Sequence, residues 1–328
     1  MAKKTGRKTK PGKATPRPSR SRVEMTLARL GLPLTDAHDL PDSGKRFPDG
    51  AQYRLEIPTT EGPRALKAVI DAAEEYDVTI HRVSQGTGMM LLTDFEINEM
   101  LKMGADNGME VSLFVGPRAT FEPSAMALSP AGKVLGWRHR GMDQIRFAID
   151  DIRRGCDLGV RSILLADIGL LNIVNELKAD GVLPLNLVVK ISVQIGECNP
   201  ASIKLLEKLG AGTMNVPSDL TVPQLGAIRR AVDIPLDLYM ESPDGLGGFI
   251  RYGEIPEIVR VCSPIYLKFG LRNAPDIYPS GTHLEDVAVR LSRERVRRAK
   301  LAMDLLERTG LKFKTSKLGA EGLGIPEV

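Results

Sequence analysis

Residues 185–199 read LNLVVKISVQIGECN and alternate apolar and polar side chains, as β-strands do. Because successive side chains point to opposite faces of a strand, Lys190, Ser192 and Gln194 are predicted to share one face. The valines and isoleucines between them would share the other face and pack against covering helices. A strand that sends polar groups inward in this way is typical of an α/β barrel with an active-site mouth.

Seven other strand–helix units accompany this strand. The remaining strands are predicted at residues 53–58, 79–84, 110–115, 162–167, 212–216, 235–241 and 264–269. A helical pattern follows each strand, and the last helix is predicted at 283–309. Eight such units within about 260 residues predict a single (β/α)8 TIM barrel. The alternative is an open doubly wound sheet, which is disfavoured because no Rossmann glycine fingerprint follows the first strand.

The chain divides into four predicted regions. These are a disordered basic tail (1–22), a lead-in that caps one barrel end (23–50), the barrel (51–310) and a C-terminal extension (311–328). The tail holds nine of the 45 lysines and arginines and no acid, so the remaining 36 cations face all 41 acids. Proline, glycine, serine and threonine fill the rest of the tail, which therefore cannot bury enough apolar surface to fold. It either solubilises the protein through weak contacts or binds RNA or another polyanion.

Composition places the protein among ordinary globular chains, with 42% hydrophobic and 26% charged residues. No apolar run approaches the roughly 20 residues that span a bilayer, and no signal-peptide pattern opens the chain. Cys156, Cys198 and Cys262 are far apart, which favours a reducing compartment. We therefore expect a cytoplasmic protein without membrane contact. The long last helix either covers the barrel or also meets a second subunit of a homo-oligomer.

The candidate site residues are the polar side chains near the carboxyl ends of the strands, where active sites of this fold lie. Ionised groups inside a barrel are costly unless they are paired, so their number favours an enzyme or a polar-ligand site. The predicted catalytic residues are Lys190, Glu241, Asp167 and Glu56. The predicted substrate-binding residues are Arg82, Arg118, Ser192, Gln194, Tyr239, Gly247, Gly248, Lys268 and Arg272.

A divalent metal is one hypothesis for this site. Several carboxylates and one imidazole could meet at the mouth and bind Mg²⁺, Mn²⁺, Fe²⁺ or Zn²⁺. The predicted ligands are Glu56, His81, Asp167, Asp237 and Glu241. The alternative is that these acids form ion pairs with the lysines and arginines of neighbouring strands.

Lysine chemistry and anion binding are further hypotheses. A desolvated amine at Lys190 or Lys268 could form a Schiff base with a carbonyl substrate, or act as a fixed cation. Glycines at 245–248, together with Lys268 and Arg272, fall where such barrels often bind a phosphate. The loop 117–140 is long enough to be a lid or a subunit contact, and it carries Trp137.

Three segments are similar to the collagenase-like peptidase (U32) family. They are ADIGLL at 166–171, SVQ at 192–194 with Asn199 after it, and LTVPQL at 220–225, within a span of about 160–240. The resemblance implies a barrel of the same type, with Asp167, Ser192 and Gln194 at its mouth. Members are named as peptidases, and relatives act in tRNA or ubiquinone hydroxylation with a cysteine-bound iron–sulfur cluster. This chain lacks the cysteines for such a cluster, so none is expected.

The leading hypothesis is a TIM-barrel enzyme that acts on a small anionic metabolite carrying a carboxylate or phosphate. Its chemistry would be metal- or lysine-assisted acid–base catalysis, of the lyase, isomerase or hydrolase class. The alternatives are a U32-type peptidase-like hydrolase and an RNA- or polyanion-binding protein that uses its basic tail.

Overall fold

Eight parallel strands close into a barrel in sequence order in the computed structural model, which describes residues 21–116 and 138–328. The predicted (β/α)8 fold is confirmed. Strand β8 pairs with β1 and closes the cylinder. The strands are β1 (Tyr53–Pro58), β2 (Arg82–Ser84), β3 (Glu110–Phe114), β4 (Ser162–Leu165), β5 (Val188–Ile191), β6 (Thr213–Asn215), β7 (Leu236–Glu241) and β8 (Ile265–Phe269).

Helices alternate with the strands, and local sequence fixes where several of them begin. Three start with capping boxes, formed by Ser21 with Glu24, by Thr93 with Glu96 and by Thr221 with Gln224. None of the helices in the described ranges combines the length and apolarity that a membrane span needs. The helices are α1 (Arg22–Arg29), α2 (Pro63–Glu75), α3 (Asp94–Asp106), α4 (Gly141–Asp157), α5 (Ile168–Ala179), α6 (Pro200–Lys208), α7 (Val222–Ala231), α8 (Ile255–Cys262) and α9 (Glu285–Arg308).

The main hydrophobic core lies between the strands and the helices. Outward-facing residues such as Ile57, Val83 and Ile191 are fully buried there. Because strand side chains alternate, the residues next to them point into the barrel. The outward-facing, apolar side chains of each strand therefore pack against the helices, and the inward-facing positions are left for polar groups.

Strand β5 ends earlier than predicted. The alternation predicts a strand that continues to Gln194, but β5 stops at Ile191 and a 3-10 turn follows at Val193–Ile195. Ser192 caps this turn by accepting the Gln194 N–H at 3.3 Å, and Gly196, at φ 79°, closes it. Gln194 therefore does not continue the inward face of Lys190, because the local cap outweighs the strand pattern.

The amino end of the barrel is filled by the lead-in and the C-terminal extension. Phe47 packs edge-on against Tyr266, with ring centroids 5.3 Å apart, and the Arg54 guanidinium lies 4.1 Å from the Phe47 ring. Arg54 also donates to Ser316 Oγ at 2.8 Å and to the Glu321 carbonyl at 2.7 Å. A ligand would therefore approach the interior from the carboxyl ends of the strands.

The extension also packs against the turn before β4. Gly159 has φ 108°, and an added Cβ would lie 2.2 Å from the backbone oxygen of Glu327. We expect Gly159→Ala to lower the free energy of unfolding by about 3 kcal/mol, from backbone strain plus this clash. Gly181→Ala is the control, since its φ of 72° is also positive but no atom lies within 4 Å of an added Cβ. Its loss should be about 1 kcal/mol. Urea denaturation measures both, and equal losses would contradict the packing of the extension here.

Candidate active site

Charged side chains occupy the middle of the barrel. They are Glu56 on β1, Arg82 on β2, Lys190 on β5, Asp237 on β7 and Lys268 on β8, and none is more than 2% exposed. The strand register explains the meeting, because Glu56 is paired with Arg82 on one side and with Lys268 on the other. We call these five residues the barrel charge cluster.

Glu56 is the centre of this cluster. Its carboxylate lies 2.6 Å from Arg82 Nη2 and 3.1 Å from Lys268 Nζ, and it accepts a hydrogen bond from Lys190. Ser84 adds a hydrogen bond of 2.7 Å. Burial alone would raise the pKa of Glu56, but Arg82, Lys190 and Lys268 outweigh it and hold the pKa well below its usual range. Glu56 is therefore a permanent anion near neutral pH.

Asp237 is the second carboxylate of the cluster. Its Oδ1 lies 2.7 Å from Arg82 Nη2, an ionic contact without good hydrogen-bond angles. Its Oδ2 lies 3.5 Å from Lys190 Nζ and accepts the Thr213 hydroxyl at 3.1 Å. The five residues of the cluster are three basic side chains and two carboxylates, and a third buried carboxylate, Glu110 on β3, lies 3.6 Å from Arg82 Nη1.

Lys190 and Lys268 respond differently to this environment. Burial lowers the pKa of Lys190 to about 7, assisted by Arg82 and Lys268 and opposed by Glu56 and Asp237. Burial also acts on Lys268, but Glu56, Tyr239 and Asp237 outweigh it and raise its pKa. At neutral pH a large fraction of Lys190 amines is uncharged, whereas Lys268 keeps its charge.

The carboxyl half of the interior has a cationic side and an apolar side. Lys268 Nζ lies 4.5 Å from the Tyr239 ring centroid, and the Asn215 amide oxygen accepts from it at 2.9 Å when that amide faces Lys268. Across the barrel, an apolar cluster of its own lines β3, β4 and the start of the following loop. Its members are Phe114, Leu164 and Ala166. A ligand with an anionic end and a short apolar part would match both sides.

Asp167 lies outside the cluster and caps α5. Its Oδ1 accepts the Leu170 N–H at 2.9 Å, and its Oδ2 accepts the His139 N–H at 3.0 Å. Burial would raise the pKa of Asp167, but these hydrogen bonds and the nearby His139 ring lower it to about 2. Asp167 therefore anchors the segment 138–140 at the mouth as a fixed anion.

Glu241 is also separate from the cluster, beyond an irregularity in the pairing of β7 with β8. It accepts hydrogen bonds from the Tyr252 hydroxyl and from the Arg272 N–H, the latter at 3.0 Å. Arg298 of α9 approaches it to 3.5 Å. Glu241 thus joins the loops that follow β7 and β8.

In the predicted glycine-rich anion-binding loop, backbone N–H groups already donate to carbonyls of the same loop. The Gly247 and Gly248 N–H groups donate to the carbonyls of Asp244 and Pro243 at 3.1 Å each. The exposed Arg272 side chain pairs with Asp244, with its Nε 3.2 Å from Oδ1. These groups are therefore not assembled around Lys268. Arg118 and most of the predicted lid, including Trp137, lie outside the described residues.

His81 sits at the opposite end of the barrel from the mouth. Its Nδ1 accepts the Leu55 N–H at 3.0 Å, and its Nε2 bonds to the Ser316 carbonyl of the extension at 2.8 Å. Within residues 21–116 and 138–328, no three histidine, cysteine, aspartate or glutamate side chains are arranged to hold a metal ion. The five predicted ligands are thus distributed among four places.

The buried His81 ring should make stability depend on pH. Burial lowers its pKa from 6.5 to about 4, so the folded state binds fewer protons than the unfolded chain between these values. The contribution of the neutral His81 ring to the free energy of unfolding is present above pH 6.5 and falls as the pH drops toward 4. Going from about pH 7 to pH 5, the loss should be about 2 kcal/mol. Urea denaturation of wild type and His81→Gln measures it, and the wild type must lose more. An equal loss in both would show that His81 does not titrate as described.

Arg295 is one of the buried cations that were not predicted from the sequence, because only residues near strand ends were considered. Arg295 lies on α9 and is 4% exposed. It falls in a buried helical stripe with Ser292, Val296 and Ala299. A cation within such a stripe is the signal that could have revealed it.

No protein-family model matches the chain, and no curated protein matches it. Solved structures resemble it distantly. A U32 peptidase is 15% identical with a TM-score of 0.40, covering 71% of this chain and 98% of its own. A protein described as a fructose-1,6-bisphosphate aldolase of Coccidioides immitis is 14% identical with a TM-score of 0.48, covering 79% and 91%. The copper homeostasis protein CutC of Streptococcus agalactiae is 12% identical with a TM-score of 0.43, covering 66% and 98%. These likenesses are too distant to indicate an activity.

Proposed function

We propose that this protein is an enzyme that acts on a small anionic carbonyl compound by lysine-assisted chemistry of the lyase or isomerase class. The observation that carries the proposal is the Lys190 amine, which is fully buried in the barrel charge cluster with its pKa lowered to about 7. Strongly shifted amines of this kind are typical of nucleophilic and proton-transferring lysines.

In the proposed reaction the uncharged Lys190 Nζ attacks the substrate carbonyl carbon. A C–N bond forms, and the C–O bond breaks as the carbonyl oxygen leaves as water, which takes one proton from the amine and one from solvent, so that a cationic imine results. Glu56 hydrogen-bonds to the Lys190 amine and Asp237 lies 3.5 Å from it, so both would stabilise this positive charge. Glu56 and Asp167 have lowered pKa values and remain anions. Their proposed roles are therefore electrostatic, and Glu241 remains a proposed acid–base group.

Lys268 is the proposed contact for the substrate anion. It keeps its charge near neutral pH because Glu56 and Tyr239 raise its pKa. Ser192 and Tyr239 would lie beside the same ligand. Arg82, with three carboxylate partners, would hold the cluster in place. The opposite apolar side would receive the carbon chain.

Metal-assisted chemistry is supported less well by this geometry. The Glu56 carboxylate is already surrounded by three cations, which would repel a divalent ion. The peptidase and polyanion-binding hypotheses stay predictions, since no contact in the described residues favours either. Residues 1–20 of the basic tail lie outside those residues.

Borohydride reduction tests the imine directly. Wild-type protein is incubated with pyruvate, 2-oxobutyrate or 2-oxoglutarate, reduced, digested and analysed by mass spectrometry. We expect at least one of these 2-oxo acids to modify Lys190. Lys268→Met should retain the modified Lys190 but require more ligand. Lys190→Met should show no modification within the barrel. Absence of an adduct on Lys190 with all three compounds would reject the proposed reaction.

A further inference from the structure

Arg295 is a buried arginine with few partners. Its Nη1 donates to the Thr59 carbonyl at 3.2 Å, and its Nε is buried without a hydrogen-bond partner. No carboxylate of the described residues forms an ion pair with it. A guanidinium has five N–H donors, so most of its capacity is unused by the described protein groups.

The other buried arginines are better satisfied. Arg54 uses Nε, Nη1 and Nη2 for three different acceptors. Arg82 has carboxylate partners. Arg229 donates from both Nη atoms to three carbonyls, although its Nε, like that of Arg295, has no hydrogen-bond partner.

The buried Glu61 carboxylate acts on the charge of Arg295 but forms no ion pair with it, and accepts the N–H groups of Gly86 and Thr87. Because burying a charge without an ion-pair partner is costly, the sparse bonding of Arg295 favours an additional anionic partner.

The position of Arg295 connects it to the mouth. Thr59 directly follows β1, and its φ of 57° is strained for a β-branched residue, a feature that clusters at ligand sites. The Tyr278 hydroxyl donates to Thr59 Oγ1 at 2.8 Å. Tyr239, whose ring faces Lys268, is also close enough to act on the charge of Arg295. Two cations from different elements thus lie near one tyrosine at the mouth.

We propose that Arg295 binds an oxyanion group of the substrate, a carboxylate or a phosphate, at a subsite distinct from Lys268. The substrate would then carry two anionic groups. This inference rests on the proposed function, because it concerns the same mouth. Lys268 already contacts Glu56 and Asn215, whereas Arg295 has donors in the planar arrangement that suits carboxylate and phosphate.

Thermal unfolding of the full-length protein with simple anions tests the subsite. Malonate, inorganic phosphate and acetate are added at matched ionic strength to wild type, Arg295→Met and Arg295→Lys. Arg290→Met is the control, since Arg290 is an exposed arginine on the same helix. We expect malonate or phosphate to raise the melting temperature of wild type and Arg290→Met by several degrees, and acetate to raise it less. The shift should vanish in Arg295→Met and shrink in Arg295→Lys.

Without added anion, Arg295→Met should melt no lower than wild type, because an unpaired buried charge is removed. A marked decrease, with no anion effect in wild type, would identify Arg295 as a structural residue and overturn the proposal. An equal anion shift in wild type and Arg295→Met would also overturn it. An acetate shift as large as the malonate shift would reject two anionic groups. The measurement needs no turnover, so failure of imine formation at Lys190 is a separate result.

Discussion

Replacing Glu56 with glutamine is expected to lower the free energy of unfolding by about 3–5 kcal/mol. The substitution keeps the shape of the side chain but removes its charge. Arg82, Lys190 and Lys268 would then keep only Asp237, and Arg82 also Glu110 at 3.6 Å, as carboxylate partners in a fully buried site. An uncompensated buried charge costs far more than the loss of one hydrogen bond.

Urea denaturation at neutral pH measures this loss, and Glu285→Gln is the control. Glu285 forms an ion pair of 2.6 Å with Arg64, but the Arg64 side chain is 60% exposed. Such surface pairs contribute about 0–1 kcal/mol. If Glu56→Gln lost no more than Glu285→Gln, the cluster would not be the buried ion network described here. Adding Lys190→Met to Glu56→Gln should recover part of the stability, since the two residues are coupled.

Replacing Lys190 with methionine is expected to abolish imine formation and turnover while the melting temperature stays within a few degrees of wild type. Methionine fills a similar volume, and a large fraction of the Lys190 amines is already uncharged at neutral pH. The substitution therefore removes less buried charge than Glu56→Gln does. Lys268 is the other lysine of the barrel charge cluster, and it cannot replace Lys190 in the chemical step, because its pKa is raised and its amine stays charged.

Borohydride trapping and calorimetry together measure this effect. Lys204→Met is the control, since Lys204 is a helix-surface lysine paired with Glu207 at 2.6 Å. It should leave trapping at Lys190 unchanged. If borohydride trapped the substrate fully at another lysine of the barrel in Lys190→Met, Lys190 would not be the reactive amine. A large drop in melting temperature would instead show that the lysine mainly supports the barrel.

Alternation in the strands was sufficient to predict the barrel and its polar interior. Lys190 lies in a run of valines and isoleucines, so its inward direction follows from the period of two. Its partners could not be predicted in the same way. Glu56 is 134 positions away in the chain, and only closure of the barrel sets the register that brings the two together.

Other candidate residues have contacts that the sequence analysis did not predict, for local or long-range reasons. Asp167 precedes a helix and accepts the Leu170 N–H, a capping pattern that the sequence already contained. His81 lies one residue before β2, and its partner, the Ser316 carbonyl, is 235 positions away in the extension. Such a contact forms only when distant parts of the chain fold together, so the sequence around His81 does not predict it.

The pKa of the Lys190 side chain decides whether Lys190 is a reactive amine that is partly uncharged near neutral pH. It can be measured by nuclear magnetic resonance on protein with isotope-labelled lysine, with Lys190→Met used to assign the signal. We expect the Lys190 amine to titrate with a midpoint of about pH 7, at which half of the amines are uncharged. A midpoint at or above the ordinary lysine value of 10.5 would contradict it, and would leave Lys190 as a permanent partner of Glu56.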